Sequence, residues 1–122
     1  MANPEAAAAA ARTRAEGGDI LSEIDKEVSE NNVVLYMKGL PDSPMCGFSA
    51  RASAILQSYG IPFFAVNILA DQEKREGVKV YSKWPTIPQV YIGGEFLGGS
   101  DILNEMHESG ELAQAIKAAF GQ

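Results

Sequence analysis

Residues 42–49 (DSPMCGFS) decide the fold, because they hold the only cysteine of the chain, Cys46, between a strand-like run and a helix-like run. The apolar run Val33–Met37 (VVLYM) before them is typical of a strand buried on both faces. In residues 49–59, which follow, the apolar side chains keep helical spacing. A thiol at such a junction lies at the start of a helix, where unpaired N–H groups and the helix dipole favour the thiolate. Position alone leaves open whether Cys46 is a reactive thiol or a small core residue.

The composition is that of a single globular domain. The chain has 122 residues and a net charge of -6, a size that fits one hydrophobic core. The acidic balance argues against a nucleic-acid partner, because binding phosphates needs clustered Lys and Arg. No apolar run approaches the roughly 20 residues that span a bilayer, so no membrane partner is expected. One cysteine cannot form an internal disulfide, and an unpaired thiol fits a reducing compartment.

Residues 1–18 are expected to be a disordered, Ala-rich tail, and residues 19–122 the domain. The alanine run at residues 6–11 has no apolar face to bury. Arg12 and Arg14 are compatible with the trimmed end of an organelle-targeting segment, although the tail also carries acidic residues, which are unusual there.

Apolar spacing and turn residues predict the order helix, strand, helix, strand, helix, strand, strand, helix, helix. The elements are a helix that Asp19 caps, strands at 33–37 and 63–68, helices at 49–59 and 71–81, a hairpin at 89–97 with a primed turn at Gly93 and Gly94, and two helices that contain Leu103 and Ile116. Helix–strand alternation makes the first two strands parallel. Either Ser100 or Asp101 can cap the helix that contains Leu103. The result is an α/β fold, a mixed four-stranded sheet flanked by helices on both faces.

Four separated motifs resemble those of the monothiol glutaredoxins of the Cys-Gly-Phe-Ser class. They are residues 37–39 (MKG), 46–49 (CGFS), 84–90 (WPTIPQV) and 98–101 (GGSD). The resemblance covers roughly residue 19 to the C-terminus. It implies a thioredoxin-like fold, which agrees with the predicted order of elements.

The resemblance also implies a glutathione site, with Cys46 as both nucleophile and metal ligand. The implied cofactor-binding residues are Lys38, Phe48, Arg75, Lys79, Thr86, Ile87, Pro88, Gly99, Ser100 and Asp101. Lys38 follows the first strand, where its ammonium can stabilise a thiolate and pair with a ligand carboxylate. Asp101 can accept from an ammonium beside the N–H groups of a helix start. Glutathione carries a carboxylate and an ammonium on one carbon, which matches that pair of groups.

Several residues have a simpler reading without the resemblance. The Ile87–Pro88 bond is implied to be cis, whereas sequence alone favours trans. Arg75 and Lys79 lie four apart on one helix face and would otherwise be solvated charges. Trp84 is expected to pack beside the cleft. His107 is expected to be a surface or helix-packing residue, because nothing nearby has the spacing of metal ligands.

The function that the resemblance implies depends on a second source of sulfur. Ser100 stands where many family members carry a second cysteine, so Cys46 is the only sulfur nucleophile. A [2Fe–2S] cluster usually takes four thiolates. The family's cluster-bridged homodimer supplies them as Cys46 of each chain and the sulfurs of two glutathiones. The implied function is therefore an iron–sulfur carrier that transfers the cluster to apo-proteins.

Two alternatives use the same residues. One is a glutathione-dependent thiol–disulfide oxidoreductase, at most weakly active, that removes glutathione from protein thiols. The other is a binding adaptor, which would need an inert Cys46. The expected compartment is the mitochondrial matrix, with the plastid stroma or the bacterial cytoplasm as alternatives.

Overall fold

A computed structural model of the chain describes residues 19–121 and confirms the predicted order of elements. The helices are α1 Ile20–Glu30, α2 Gly47–Gln57, α3 Gln72–Ser82, α4 Ser100–Ser109 and α5 Glu111–Ala119. The strands are β1 Val33–Met37, β2 Gly39–Leu40, β3 Ser43–Pro44, β4 Phe64–Asn67, β5 Gln89–Ile92 and β6 Glu95–Gly98. A short 3₁₀ helix, Ile68–Ala70, follows β4. The predicted tail at residues 1–18 lies outside the described residues.

The four longer strands form one mixed sheet in the order β4-β1-β5-β6. Strand β1 is parallel to β4 and antiparallel to β5, so that Leu35 lies opposite Ala65 on one side and Val90 on the other. Strands β5 and β6 form the hairpin, in which Gly93 and Gly94 have φ angles of 61° and 84°. Two positive φ values in a two-residue loop are the signature of a primed turn. The predicted parallel pair and hairpin are confirmed.

Alternate side chains of β1 divide the core into two layers. Val33, Leu35 and Met37 pack against α2, α4 and α5. Val34 and Tyr36 pack against α1 and α3 on the other face. All five are buried, because side chains of a strand alternate between two covered faces. The strand thus delivers the turn that follows it to a fixed point at one end of the sheet.

A buried ionic cluster joins α1 to α3. Lys74 is only 4% exposed, and its ammonium lies 2.7 Å from a carboxylate oxygen of Glu23 and contacts Glu27 as well. The hydroxyl of Tyr36 donates to Glu27 at 2.8 Å. Gly77 lets the two helices approach, since a Cβ there would lie 3.0 Å from side-chain atoms of α1. These contacts fix how α3 sits on the sheet. None of the described helices is long and apolar enough to cross a membrane.

Apart from shifts of one or two residues at other element ends, three features near the site differ from the prediction. Helix α2 begins at Gly47 rather than at residue 49, because the side chain of Cys46 caps it. The N-cap of α4 is Gly99 and makes no side-chain cap bond, so the expected cap at Ser100 or Asp101 was wrong. Both are instead the first two residues inside the helix, where N–H groups have no intrahelical acceptor. The third difference is the short β2–β3 ribbon, which the sequence patterns did not indicate.

Candidate thiol and ligand site

The β2–β3 ribbon turns the chain back after β1 and leads it to Cys46. Gly39 has a φ of 88°, which side chains other than glycine rarely adopt. A Cβ at this position would lie 2.5 Å from the carbonyl oxygen of Ser43. The side-chain oxygen of Asn67, at the end of β4, accepts from the Gly39 N–H at 2.9 Å. The ribbon is therefore tied to the sheet, and the thiol that follows it has a defined position.

Cys46 is the N-cap of α2, and Ser49 is its main partner. The Ser49 N–H donates to the Cys46 sulfur at 3.3 Å, and the Ser49 hydroxyl lies 3.3 Å from the same sulfur. Ser49 is 0% exposed, and its hydroxyl oxygen accepts from the Lys38 N–H at 3.0 Å. The hydroxyl has a second lone pair and one proton, so it can accept from the Cys46 thiol, as it does here, or donate to the thiolate. The buried serine thus joins the end of β1 to the start of α2 at the thiol.

The surroundings of Cys46 lower the pKa of its thiol below the ordinary value of 9.0. Partial burial acts to raise that pKa, but it is outweighed by hydrogen bonds from the hydroxyl and N–H of Ser49 and from the N–H of Phe48. The positive charge of Lys38 lowers the pKa further. Cys46 is partly exposed and forms no disulfide. Cys46 is therefore a partly exposed thiol that ionises more readily than an ordinary cysteine, and it is not a core residue.

A cavity of about 460 Å³ lies next to this thiol and gathers the predicted binding residues. Its lining includes all ten of them: Lys38, Phe48, Arg75, Lys79, Thr86, Ile87, Pro88, Gly99, Ser100 and Asp101. Trp84, Pro85 and Ile102 complete it. Cys46 does not line the cavity, although Phe48 two residues later does. The volume is within the range of about 300–1,000 Å³ that is usual for small-molecule sites.

Three cations of the cavity come from two different elements. Lys38 follows β1, whereas Arg75 and Lys79 lie one turn apart on α3. Arg75 is half-buried, and its Nε is buried without a hydrogen-bond partner among residues 19–121. The Lys79 ammonium lies 3.4 Å from the carboxylate of Glu76. This group of three cations is suited to an anionic ligand, because the guanidinium of Arg75 can bind a carboxylate through two donors.

Arg51 contacts two residues of the cavity lining, and the sequence did not indicate this contact. Its Nε donates to the Ser100 hydroxyl at 2.8 Å, and its guanidinium contacts the carboxylate of Asp101. One Asp101 oxygen is thereby engaged, yet the side chain stays 82% exposed, so the other oxygen can accept from a ligand ammonium. The sequence offers no signal for this contact, because its partners lie about 50 residues apart on different helices.

The remaining expectations concern Pro88 and Trp84 in the lining of the cavity and the single histidine. The Ile87–Pro88 bond is cis, as the resemblance implied. Trp84 lines the cavity and packs its ring 6.1 Å from that of Phe96, which confirms its expected place beside the cleft. His107 is exposed and pairs with the Tyr59 hydroxyl at 2.6 Å, a helix-packing contact. No group of three or more metal-ligating side chains occurs in the part of the chain that the structure describes.

Comparison with known proteins agrees with the resemblance. Residues 33–97 match the family model for glutaredoxin. The chain is 51% identical over 98 residues to the mitochondrial monothiol glutaredoxin-S15 of Arabidopsis thaliana, a match that covers 80% of this chain and 58% of that protein. It is 50% identical over 97 residues to an uncharacterized ycf64-like monothiol glutaredoxin of Synechocystis, covering 80% of this chain and 91% of that protein. Relatives of 50% identity also include a chloroplastic and a rickettsial monothiol glutaredoxin.

Solved structures give the same result. Reduced apo GrxS14 of poplar aligns with a TM-score of 0.73 at 48% identity, covering 83% of this chain and 93% of that chain. A buckwheat glutaredoxin in complex with glutathione aligns with a TM-score of 0.73 at 21% identity, covering 82% of this chain and 89% of that chain, a likeness of fold alone. The fold is therefore thioredoxin-like, as predicted, and the chain belongs to the monothiol glutaredoxins.

Proposed function

We propose that this protein binds glutathione beside Cys46, forms a homodimer bridged by a [2Fe–2S] cluster, and transfers that cluster to apo-proteins. One observation carries the proposal. Ten residues from five separate stretches of the chain line a single cavity next to the only cysteine. The pKa of that cysteine is lowered, so a thiolate is available as a ligand or as a nucleophile.

Glutathione fits the distribution of charge in the cavity. The three cations Lys38, Arg75 and Lys79 are suited to the glycine carboxylate of glutathione. At the start of α4, the N–H groups of Ser100 and Asp101 are suited to the second carboxylate, and the free Asp101 oxygen to the neighbouring ammonium. We propose that glutathione held between these two ends places its own thiol beside Cys46, since Lys38 and Phe48, before and after Cys46 in the chain, line the same cavity. The buckwheat glutaredoxin of the same fold has been solved as a glutathione complex.

The cluster is cargo that one chain cannot hold alone. Four thiolates are the usual ligand set, and the chain has one cysteine. Two chains and two glutathiones supply four, with Cys46 as the protein ligand on each side. Half of the ligands are then exchangeable small molecules, which makes release to a recipient chemically accessible. Cys46 is partly exposed, as a residue must be if it binds a cluster that two chains share.

A second candidate function rests on the lowered pKa of the Cys46 thiol. The thiolate attacks the glutathione sulfur of a protein–glutathione mixed disulfide, and the protein thiolate leaves. A free glutathione thiolate then attacks the Cys46–glutathione disulfide. The products are oxidised glutathione and the regenerated Cys46 thiolate, so electrons balance with glutathione as the reductant. We expect this activity to be weak beside cluster transfer.

We propose the mitochondrial matrix as the compartment, with the plastid stroma and the bacterial cytoplasm as alternatives. Support comes from the mitochondrial relative in Arabidopsis, while chloroplastic and bacterial relatives are equally similar. Imaging of a C-terminally tagged full-length protein in its own cells tests this proposal, and exclusion of the tag from mitochondria contradicts it.

Anaerobic reconstitution with iron, sulfide and glutathione tests the carrier function. We expect visible absorption and native mass spectrometry to show a coloured dimer. When an apo-ferredoxin is added, the cluster should move to it, and the dimer should lose its colour. Omitting glutathione or making Cys46→Ser should abolish the colour. Arg75→Ala should weaken glutathione binding, whereas Lys117→Ala, which removes an exposed cation on α5 outside the cavity, should not. A colourless monomer that reduces mixed disulfides would favour the second candidate, and a cluster retained by Cys46→Ser would overturn the assignment of Cys46 as cluster ligand.

A further inference from the structure

We infer that Gln89 is a positioning residue that holds the wall of the cavity at residues 84–86 in the conformation that binds glutathione. The inference rests on the proposed glutathione site and adds to it a residue that does not touch the ligand. Gln89 is absent from the lining of the cavity, whereas Trp84, Pro85 and Thr86 are part of it.

The side-chain amide of Gln89 is directed entirely at this wall. Gln89 is the first residue of β5 and is 0% exposed. Its Nε2 donates to the carbonyl oxygen of Trp84 at 3.0 Å and to that of Thr86 at 3.2 Å. The Ser82 hydroxyl accepts from the Trp84 N–H at 3.1 Å. The backbone of the wall is thus held from both sides, and both amide hydrogens of Gln89 are used.

The carbonyl end of the same amide carries a cost in stability. The Oε1 atom of Gln89 is buried and has no hydrogen-bond partner among residues 19–121. A buried carbonyl without a partner costs free energy. An apolar side chain of similar size would avoid that cost, so the distinct contribution of Gln89 is its two donors.

Loss of those donors should move the wall without unfolding the protein. Trp84 and Thr86 are exposed, so their freed carbonyl groups can turn towards water instead of staying unpaired. The wall would then move relative to the cations of α3, which line the same cavity. Trp84 is the only tryptophan of the chain and is 43% exposed. Its fluorescence therefore reports the position of the wall directly, whether or not glutathione is bound.

The experiment compares wild type with Gln89→Leu, Gln89→Met and a control, Val90→Ala. Val90 is buried on the same strand but packs into the opposite core layer, so its truncation lowers stability without removing the donors. Three quantities are measured: acrylamide quenching of Trp84 fluorescence, the glutathione Kd by calorimetry, and the thiol pKa of Cys46 from its alkylation rate.

We expect both Gln89 variants to show stronger quenching than wild type and a Kd about tenfold higher, which corresponds to about 1.4 kcal/mol. The pKa of the Cys46 thiol should not change, since Gln89 makes no contact with it. Val90→Ala should leave quenching and Kd at wild-type values. Unchanged quenching, or stronger quenching with an unchanged Kd, overturns the inference. If wild type itself binds no glutathione, the proposed site fails, and quenching alone then decides whether Gln89 holds the wall.

Discussion

Replacing Ser49 with alanine should raise the pKa of the Cys46 thiol. The change removes the hydroxyl that lies 3.3 Å from the sulfur and leaves the backbone in place. The N–H groups of Ser49 and Phe48 and the charge of Lys38 continue to act on the thiolate. The prediction therefore isolates the contribution of one buried hydroxyl.

The magnitude follows from the strength of a hydrogen bond to a charged group, about 1.5–3 kcal/mol. Since one pKa unit corresponds to about 1.4 kcal/mol, complete loss of such a bond would raise the pKa by about 1 to 2 units. Cys46 is partly exposed, so water replaces part of the lost bond. We therefore expect a rise of about 0.5 to 1 unit. The Lys38 N–H also loses its acceptor, which should lower the unfolding free energy by about 1–2 kcal/mol.

The pH dependence of alkylation by iodoacetamide measures this pKa, and the signal comes from Cys46 alone because the chain has no other cysteine. Ser53→Ala is the matched control. Ser53 lies on the same helix and is buried, and its hydroxyl has no hydrogen-bond partner among the described residues. A pKa that does not rise in folded Ser49→Ala, or that rises equally in the control, would refute the reasoning.

Three further predictions test other contacts of the site and the fold. Lys38→Met should raise the pKa of the Cys46 thiol by less than Ser49→Ala does, and only at low ionic strength, because salt screens a charge but not a hydrogen bond. A rise that persists at high salt would contradict a Coulombic role for Lys38. Gly39→Ala should lower the unfolding free energy measured in urea by about 1–3 kcal/mol, because the φ of Gly39 is positive and an added Cβ would clash with backbone atoms. The control Gly47→Ala should not destabilise the protein, because a Cβ there meets nothing within 4 Å, and equal losses in the two variants would show that the ribbon is not constrained. Burial raises the pKa of Glu27 above its ordinary 4.5 and outweighs the opposing effect of the charge of Lys74, so the contribution of Glu27 to stability is full below about pH 4.5 and is lost as the pH rises through the pKa of the folded state. The unfolding free energy of Glu27→Gln minus that of wild type, measured in urea at several pH values, should therefore increase with pH, and a difference that decreases with pH would contradict this reasoning.

Much of the fold could be predicted because its signals are local. The apolar run of β1, the two glycines of the hairpin and the capping Asp19 each determine a short stretch of backbone through periodicity, φ or a hydrogen bond within a few residues. The binding residues could be predicted as a set because their motifs match the family in order. The structure brings them together in one cavity, and their role in binding stays a prediction.

Other contacts could not be predicted because their partners are far apart along the chain. Arg51 reaches Asp101 across 50 residues, and Lys74 reaches Glu27 across 47. In the sequence, each reads as a solvated charge on a helix, which is the usual fate of such residues. The packing angle of two helices decides whether the charge is paired, and no local pattern encodes that angle.

By itself the sequence determined the order of helices and strands, the family, and the single thiol at the start of a helix, because each depends on neighbouring residues or on motifs in a given order. Only the tertiary structure decided that Ser49 lies buried against that thiol, that α1 and α3 share a buried lysine, and that Gln89 supports the wall of the cavity. The physical reason is that burial and hydrogen-bond partners are properties of three-dimensional packing, which brings together groups whose separation along the chain carries no information about their contact.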